Sequence, residues 1–298
     1  MAEEPRIYAG PWVKVWKPPE SITRLGPSIT LIHDDEVAKS LGFAGGLVGG
    51  PTLAAVTTPA IFASFGHSWY EGGAYSIRYV RPVYDQEEIR VVWQELKPDP
   101  GDRRKITFWL EKRDGERTTF GWAALGDAAQ KLTAPWGRTS AAPVASPAES
   151  GDDLLPNMHV GDTLPPFDCL MTREDILARH DRLEDHNWWY SVASPWGAPI
   201  LPPDELGVMV LQRPRQPQAE GETQRTTGRT PMYAGFDLAV YGPLFTDHTY
   251  AFHPRLVEKG RSERSVFFSY EYGIDDESGQ RVAVARAKTR HLISTLIP

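Results

Sequence analysis

Cysteine is nearly missing from this chain, with Cys169 the only one among 298 residues. A single thiol excludes an intrachain disulfide and a cysteine-rich metal centre, and it fits a reducing compartment. No run of about 18 apolar residues occurs, so no membrane-spanning helix is expected. The opening Met-Ala-Glu-Glu-Pro has neither the basic nor the apolar region of a secretory leader, which points to a cytoplasmic protein. A basic excess is lacking as well. The formal net charge is −7 and the pI about 5.7, whereas a nucleic-acid surface needs clustered Lys and Arg to displace counterions. Neither a nucleic acid nor a membrane is expected as a partner. No nucleotide-binding frame surrounds Gly45-Gly46 or Gly49-Gly50, and Gly66-His67-Ser68-Trp69 lacks the elbow of serine hydrolases. His248, His253 and His291 stand without metal-ligand spacing, so no metal and no cofactor are expected.

What is present is an ordinary globular composition, 41% hydrophobic, 11% aromatic and 24% charged, which argues against disorder. The length suits two units of roughly 130 to 150 residues, each able to bury a core. Ten tryptophans suit packing in broad sheets, or an aromatic-lined ligand pocket.

The most informative stretch runs from Ile32-His33-Asp34-Asp35-Glu36-Val37-Ala38 through Gly42-Phe43 to Gly45-Gly46-Leu47-Val48-Gly49-Gly50-Pro51, and then into an apolar helix over 52–65. An ionisable cluster, a glycine turn and a helix start in that order set a candidate acid/base beside backbone amides. A distorted echo follows in the second half: Asp185-His186-Asn187-Trp188-Trp189-Tyr190, then Trp196-Gly197-Ala198-Pro199-Ile200-Leu201-Pro202-Pro203. Alternating β-rich stretches at 74–80, 88–96, 105–112 and 118–125 are separated by turns at Asp85-Gln86, Pro98-Asp99-Pro100-Gly101-Asp102 and Arg113-Asp114-Gly115-Glu116. Later strands are expected at 167–171, 236–241, 248–253, 265–272 and 281–293. Thr172 followed by Arg173-Glu174-Asp175 marks a capped helix start, and a short apolar helix is expected over 204–212. One helix followed by an antiparallel meander, twice, is an α+β pattern. The expected boundaries are 1–126 for the first unit, 127–152 for a Pro/Ala/Ser-rich linker and 153–298 for the second. The polar stretch 213–230 is long for a plain connection and reads as a candidate lid.

Together these landmarks resemble the MaoC-like dehydratases and (R)-specific enoyl-CoA hydratases. In the first half they are His33 to Ala38, Gly42-Phe43, Leu47-Val48-Gly49-Gly50 and Arg81-Pro82-Val83-Tyr84-Asp85. In the second they are Asp185 to Tyr190, Gly197-Ala198-Pro199-Ile200 and Gly242-Pro243-Leu244. The resemblance covers most of the chain and implies a double hotdog, two tandem units that each wrap a sheet around a helix. It also implies acyl thioester sites in the seam between the units, and leaves a homodimer of the tandem chain open.

The family's motif supplies an aspartate, an asparagine two residues later and a histidine five residues after the aspartate. Carboxylate and imidazole hold one water for addition to C3 of an enoyl thioester, while a glycine amide steadies the oxyanion. The first unit keeps His33 and Gly50, but Ser28 and Thr30 stand at the aspartate and asparagine positions; matching Ala38 and Gly42-Phe43 without a gap instead puts Ile32 in the histidine's place. Asp34 or Asp35 is a replacement carboxylate, or else both simply cap a helix. The second unit keeps Asp185 and Asn187, but Tyr190 replaces the histidine, and Pro203, without an N–H, replaces the glycine.

The resemblance therefore implies a lyase hydrating or dehydrating an acyl-CoA thioester or a related small carbonyl substrate. His33, Asp185 and Tyr190 are its candidate catalytic residues, and Asp34, Gly50, Asn187, Trp188 and Trp189 line the substrate. Two alternatives stay open: a lyase or isomerase of altered chemistry using Asp185 and Tyr190 on a substrate not attached to CoA, and a non-catalytic binder of acyl or aromatic ligands. The basic run Arg255, Lys259, Arg261 and Arg264 fits CoA phosphates or a solvated hairpin.

Overall fold

The computed structural model describes residues 6–18, 32–96, 105–126, 129–130, 133, 155, 157–183, 185, 187–212, 231–262 and 265–292. Most of the expected linker and all of the candidate lid at 213–230 lie outside the described residues.

Among the described residues, eleven strands form one antiparallel sheet. They are β1 (Ile7–Ala9), β2 (Val13–Lys14), β3 (Gly73–Tyr79), β4 (Glu88–Leu96), β5 (Lys105–Lys112), β6 (Arg117–Leu125), β7 (Phe167–Leu170), β8 (Pro231–Val240), β9 (Thr249–Arg261), β10 (Ser265–Asp275) and β11 (Arg281–Leu292). Their order is β1-β4-β5-β6-β3-β8-β11-β10-β9-β7, with β2 also on β4. Counted outward from the β3/β8 junction, the halves read β3-β6-β5-β4-β1 and β8-β11-β10-β9-β7. Each half therefore places its first long strand at the centre and the next three in the same inverted order, so one topology occurs twice. The junction pairs Ala74 with Ala239 and runs to Arg78 opposite Gly235. Asp237 holds it from the side, accepting from Ser76 Oγ at 2.6 Å and from both Arg78 guanidinium nitrogens at 2.6 and 3.0 Å.

Strand β5 shows apolar residues recurring at every second position. In β5, Ile106, Phe108 and Leu110 point inward and are fully buried, while the residues between them are half-exposed. The helices are α1 (Asp35–Ser40), α2 (Gly50–Phe65), α3 (Arg173–Asp181) and α4 (Glu205–Met209), the last extended by a 3-10 turn at Val210–Gln212. Helix α2 has no polar face: Leu53, Ala54, Ala55, Val56, Ala60, Ile61 and Phe65 are all buried, as befits a helix enclosed by sheet. Pro51 starts it without wasting a donor, and Gly66 ends it at a φ of 63° that favours glycine. One apolar cluster runs through both halves, from Leu53 and Trp69 to Phe236, Phe252 and Ala283. Among the described residues, no helix is long and apolar enough to cross a membrane.

Two strands, β1 and β2, are additional to the expected set. Each is only two or three residues on the sheet edge, too short to show alternation. Helix α3 starts where its sequence signals, with Thr172 Oγ1 accepting from the Asp175 amide.

Candidate functional site

The repeat can be followed residue by residue around the two helix starts. In the first half the Leu47 amide donates to Ile32 O, and Val48 N to Val83 O; in the second, Ile200 N donates to Trp189 O, and Leu201 N to Leu244 O. Leu47 bridges Tyr84 as Ile200 bridges Phe245, and the following turns carry the only positive-φ non-glycines among the described residues, Gln86 and Asp247. Ile32 therefore corresponds to Trp189, and His33 to Tyr190. Gly49 and Gly50 correspond to Pro202 and Pro203, and Pro51 and Thr52 to Asp204 and Glu205. The gapless alternative, which sets Ile32 in the histidine's place, does not follow the chain's own repeat.

In the first half, His33 Nδ1 lies 2.7 Å from the Leu47 carbonyl. A carbonyl can only accept, so Nδ1 carries the proton and Nε2 of the neutral ring keeps a lone pair. Burial lowers the imidazole's affinity for a second proton, partly opposed by the Leu47 carbonyl. The ring faces the start of α2: a Cβ on Gly49 would lie 3.7 Å from His33 Cε1. The first amides of α2 have no acceptor within the helix. The acids beside His33 are otherwise engaged. Asp34 caps α1, accepting from the Glu36 and Val37 amides. Asp35 pairs with Lys17 at 2.8 Å and accepts from the Gly46 amide at 2.7 Å.

Gly50 presses on two rings from the central strands. A Cβ there would meet Tyr233 Cδ1 at 2.6 Å and Tyr79 Cε2 at 2.8 Å, and these rings pack on one another with centroids 5.9 Å apart. Gly50→Ala is expected to cost about 1–3 kcal/mol through this overpacking, read as a lower urea midpoint; an unchanged midpoint would show that the rings yield. The hydroxyls of Tyr75, Tyr79 and Tyr233 are buried without a hydrogen-bond partner among the described residues. Burial, above all, pushes each phenol's pKa upward. Buried hydroxyls are normally satisfied, so these three neutral phenols between the halves stand out from the apolar core around them.

The second half gathers a charged cluster that its sequence motif does not announce. His180, on the last turn of α3, is 1% exposed, as is Asp204, and Glu205 is fully buried. His180 Nδ1 is 3.2 Å from Asp185 Oδ2, and its Nε2 lies 3.5 Å from Asp204 Oδ2 and 3.4 Å from Glu205 Oε1. Arg179 Nη2 pairs with Glu205 Oε2 at 2.6 Å, and Thr58 of α2 donates to Asp204 Oδ1 at 3.1 Å. Burial is the largest single effect on His180 and favours the neutral ring, but the pull of Asp204, Asp185 and Glu205 outweighs it, so the imidazole is pushed up to about 12. Burial likewise raises Glu205 against its basic neighbours. Tyr190 is wholly buried with its ring 5.0 Å from His180, and its hydroxyl has no partner among the described residues.

The structure thus brings Asp185 and Tyr190 to one buried cluster, and His33 and Gly50 to opposite sides of the α2 start. Asn187 caps the short turn Trp188–Tyr190 by accepting from the Trp189 amide at 3.1 Å. Trp188 is 58% exposed, whereas Trp189 packs edge-on against Phe62 at 5.4 Å. His186 lies outside the described residues, as do Ser28 and Thr30. Of the basic run, Arg255 donates to Glu271 at 2.6 Å and Lys259 to the Leu155 carbonyl at 3.0 Å; Arg264 is outside the described residues. His180, Asp204 and Glu205 are missed by sequence reasoning. The available signal was the acid pair at the start of an otherwise apolar helix, directly after Pro202-Pro203.

No protein-family model matches the chain, and no curated protein matches it by sequence. Solved structures do. A putative MaoC domain protein dehydratase from Chloroflexus aurantiacus J-10-fl is similar with a TM-score of 0.62 at 10% identity, over 97% of this chain and 95% of that one. A conserved hypothetical protein from Mycobacterium tuberculosis, described as having a double hotdog fold, gives 0.59 at 12% identity, over 98% and 97%. A MaoC-like dehydratase gives 0.54 at 13% identity, over 95% and 96%. The chain is a double hotdog, the fold that the duplicated motifs imply.

Proposed function

We propose that this double hotdog is a hydro-lyase of the MaoC-like type, adding water to an enoyl thioester, or removing it, at the α2 start. The observation that carries the reading is the Leu47 carbonyl on His33 Nδ1, which leaves a neutral imidazole with a basic Nε2 next to the amides of a helix start. In hydration, Nε2 removes a proton from water as its oxygen bonds to C3 of the substrate. The electron pair of the C2–C3 double bond moves toward the thioester carbonyl, whose developing negative charge the first turn of α2 stabilises. The imidazolium then returns a proton to C2, and dehydration is the reverse. The dehydratases similar to this chain share its fold, and their activity is extended to it on the strength of the His33 geometry.

The desolvation of the partly buried His33 sets the expected pH dependence. Because its pKa is lowered, the free base forms on raising pH through a value below the ordinary 6.5, and kcat/KM should already be on its plateau at pH 7. A rate that kept rising well above pH 7 would contradict this base. The direct test follows the loss of enoyl absorbance with crotonyl-CoA, where turnover is expected and Asp185→Asn should reduce it less than His33→Ala. Thermal stabilisation by the thioester without turnover would overturn the proposal and favour a binding protein.

A further inference from the structure

We propose that His180, Asp204 and Glu205 form a binding site for a divalent transition-metal ion, with Zn2+ as its natural probe. These three residues are wholly or almost wholly buried, and one donor atom from each (His180 Nε2 and an oxygen of Asp204 and of Glu205) lies within 4.8 Å of the others. The spacing suits a metal better than a hydrogen bond. His180 Nε2 stands 3.5 Å from Asp204 Oδ2 and 3.4 Å from Glu205 Oε1, and Nε2, Asp204 Oδ2 and Glu205 Oε1 are all without a hydrogen bond among the described residues. A normal N–H···O contact spans about 2.7–3.2 Å. Two ligand atoms each about 2.0–2.1 Å from a tetrahedral ion are about 3.4 Å apart.

The opposite atom of every ligand is already held. Asp185 lies on His180 Nδ1 at 3.2 Å, Thr58 donates to Asp204 Oδ1 at 3.1 Å, and Arg179 pairs with Glu205 Oε2 at 2.6 Å. A carboxylate behind a ligating imidazole and polar partners behind ligating carboxylates are how metal sites orient their ligands. Charge points the same way. Three carboxylates, those of Asp185, Asp204 and Glu205, face one guanidinium and one imidazole. With Glu205 ionised, even a protonated imidazole leaves a negative charge over, whereas a divalent cation with a neutral imidazole cancels it and offsets the burial that pushes Glu205 toward its neutral form. One nitrogen and two oxygens suit Zn2+ or Mn2+ rather than a soft, thiolate-seeking ion, and a tetrahedral ion keeps a fourth position for an oxygen. The buried Tyr190 hydroxyl, likewise without a partner among the described residues, belongs to a ring packed on His180.

The place in the fold gives such an ion a role. Asp204 and Glu205 occupy the start of α4, equivalent to Pro51 and Thr52 at the start of α2, and Pro202-Pro203 replace the glycines there. A cation would supply the electrophile that prolines cannot.

The test uses the full chain, stripped with a chelator and titrated with Zn2+ by calorimetry, with metal content measured before stripping and after reloading. The expected result is about one Zn2+ per chain, with a rise in melting temperature. His180→Gln should abolish this binding, and Asp185→Asn should weaken it about 10- to 100-fold. His33→Ala should bind Zn2+ as the parent chain does, which separates this site from the proposed hydration site. Because His180→Gln bears on a buried cluster, Co2+ is also added to the unsubstituted chain, where tetrahedral N/O coordination gives visible absorption bands that Zn2+ displaces. Sub-stoichiometric Zn2+ without stabilisation, no such bands, or a folded His180→Gln that binds Zn2+ like the parent would overturn the proposal.

Discussion

His33→Ala should lower enoyl-thioester hydration by about 10²- to 10⁴-fold, the range over which a positioned general base acts. The substitution removes Nε2 from beside the α2 start and leaves the residues of α2, the central strands and the junction tyrosines unchanged. KM should therefore change less than kcat. The Leu47 carbonyl loses its donor, His33 Nδ1, but Leu47 is only half-buried, so water can replace the imidazole and the fold should survive. Hydration retained within a few-fold, in a variant with an unaltered melting temperature, would move the chemistry away from α2. Asp185→Asn offers the contrast: its carboxylate is bonded to His180, on the other side of the repeat.

The second large effect concerns stability. In chelator-treated protein, His180→Ala should destabilise the chain by about 3–5 kcal/mol, because removing one member of a buried ionic cluster leaves its partners uncompensated. Asp204 and Glu205 would then face each other with only Arg179 and Thr58 for support, and Tyr190 would lose the ring it packs on. The midpoint of urea unfolding reads the change. A loss under about 1 kcal/mol would mean that the carboxylates take up protons and that the cluster stores little ionic energy. The opposite substitution pattern, with His180, Asp204 and Glu205 all replaced by apolar residues of similar volume, should recover much of the loss.

The strands were legible because β5 alternates cleanly, β4 is rich in β-branched and aromatic residues, and glycine- or aspartate-rich turns bound them. The α2 start was legible because Gly49-Gly50-Pro51 opens an apolar run. His33 could be matched to Tyr190 in order, and the hydrogen bonds from Leu47 and Ile200 fix that register to the residue. The charged cluster was not legible for a physical reason: its members lie on two short helices and a loop, and only the wrap of the second unit brings 180, 185 and 204–205 together. A histidine near the end of a polar helix looks like a favourable partner for the helix dipole, and nothing local shows that its surroundings exclude water. The capping role of Asp34 is the reverse case, since it follows from local spacing alone.

The β3/β8 ladder has one more consequence. When two identical chains pair edge to edge, any replacement is copied to both ends of the assembly, so neither half can depart from the other. Writing both partners into a single polypeptide breaks that compulsion. Sixteen residues of helix on one flank and five on the other, a neutral imidazole facing glycines here and a salt-rich nest behind prolines there, are the outcome: one scaffold whose two halves differ at the same place.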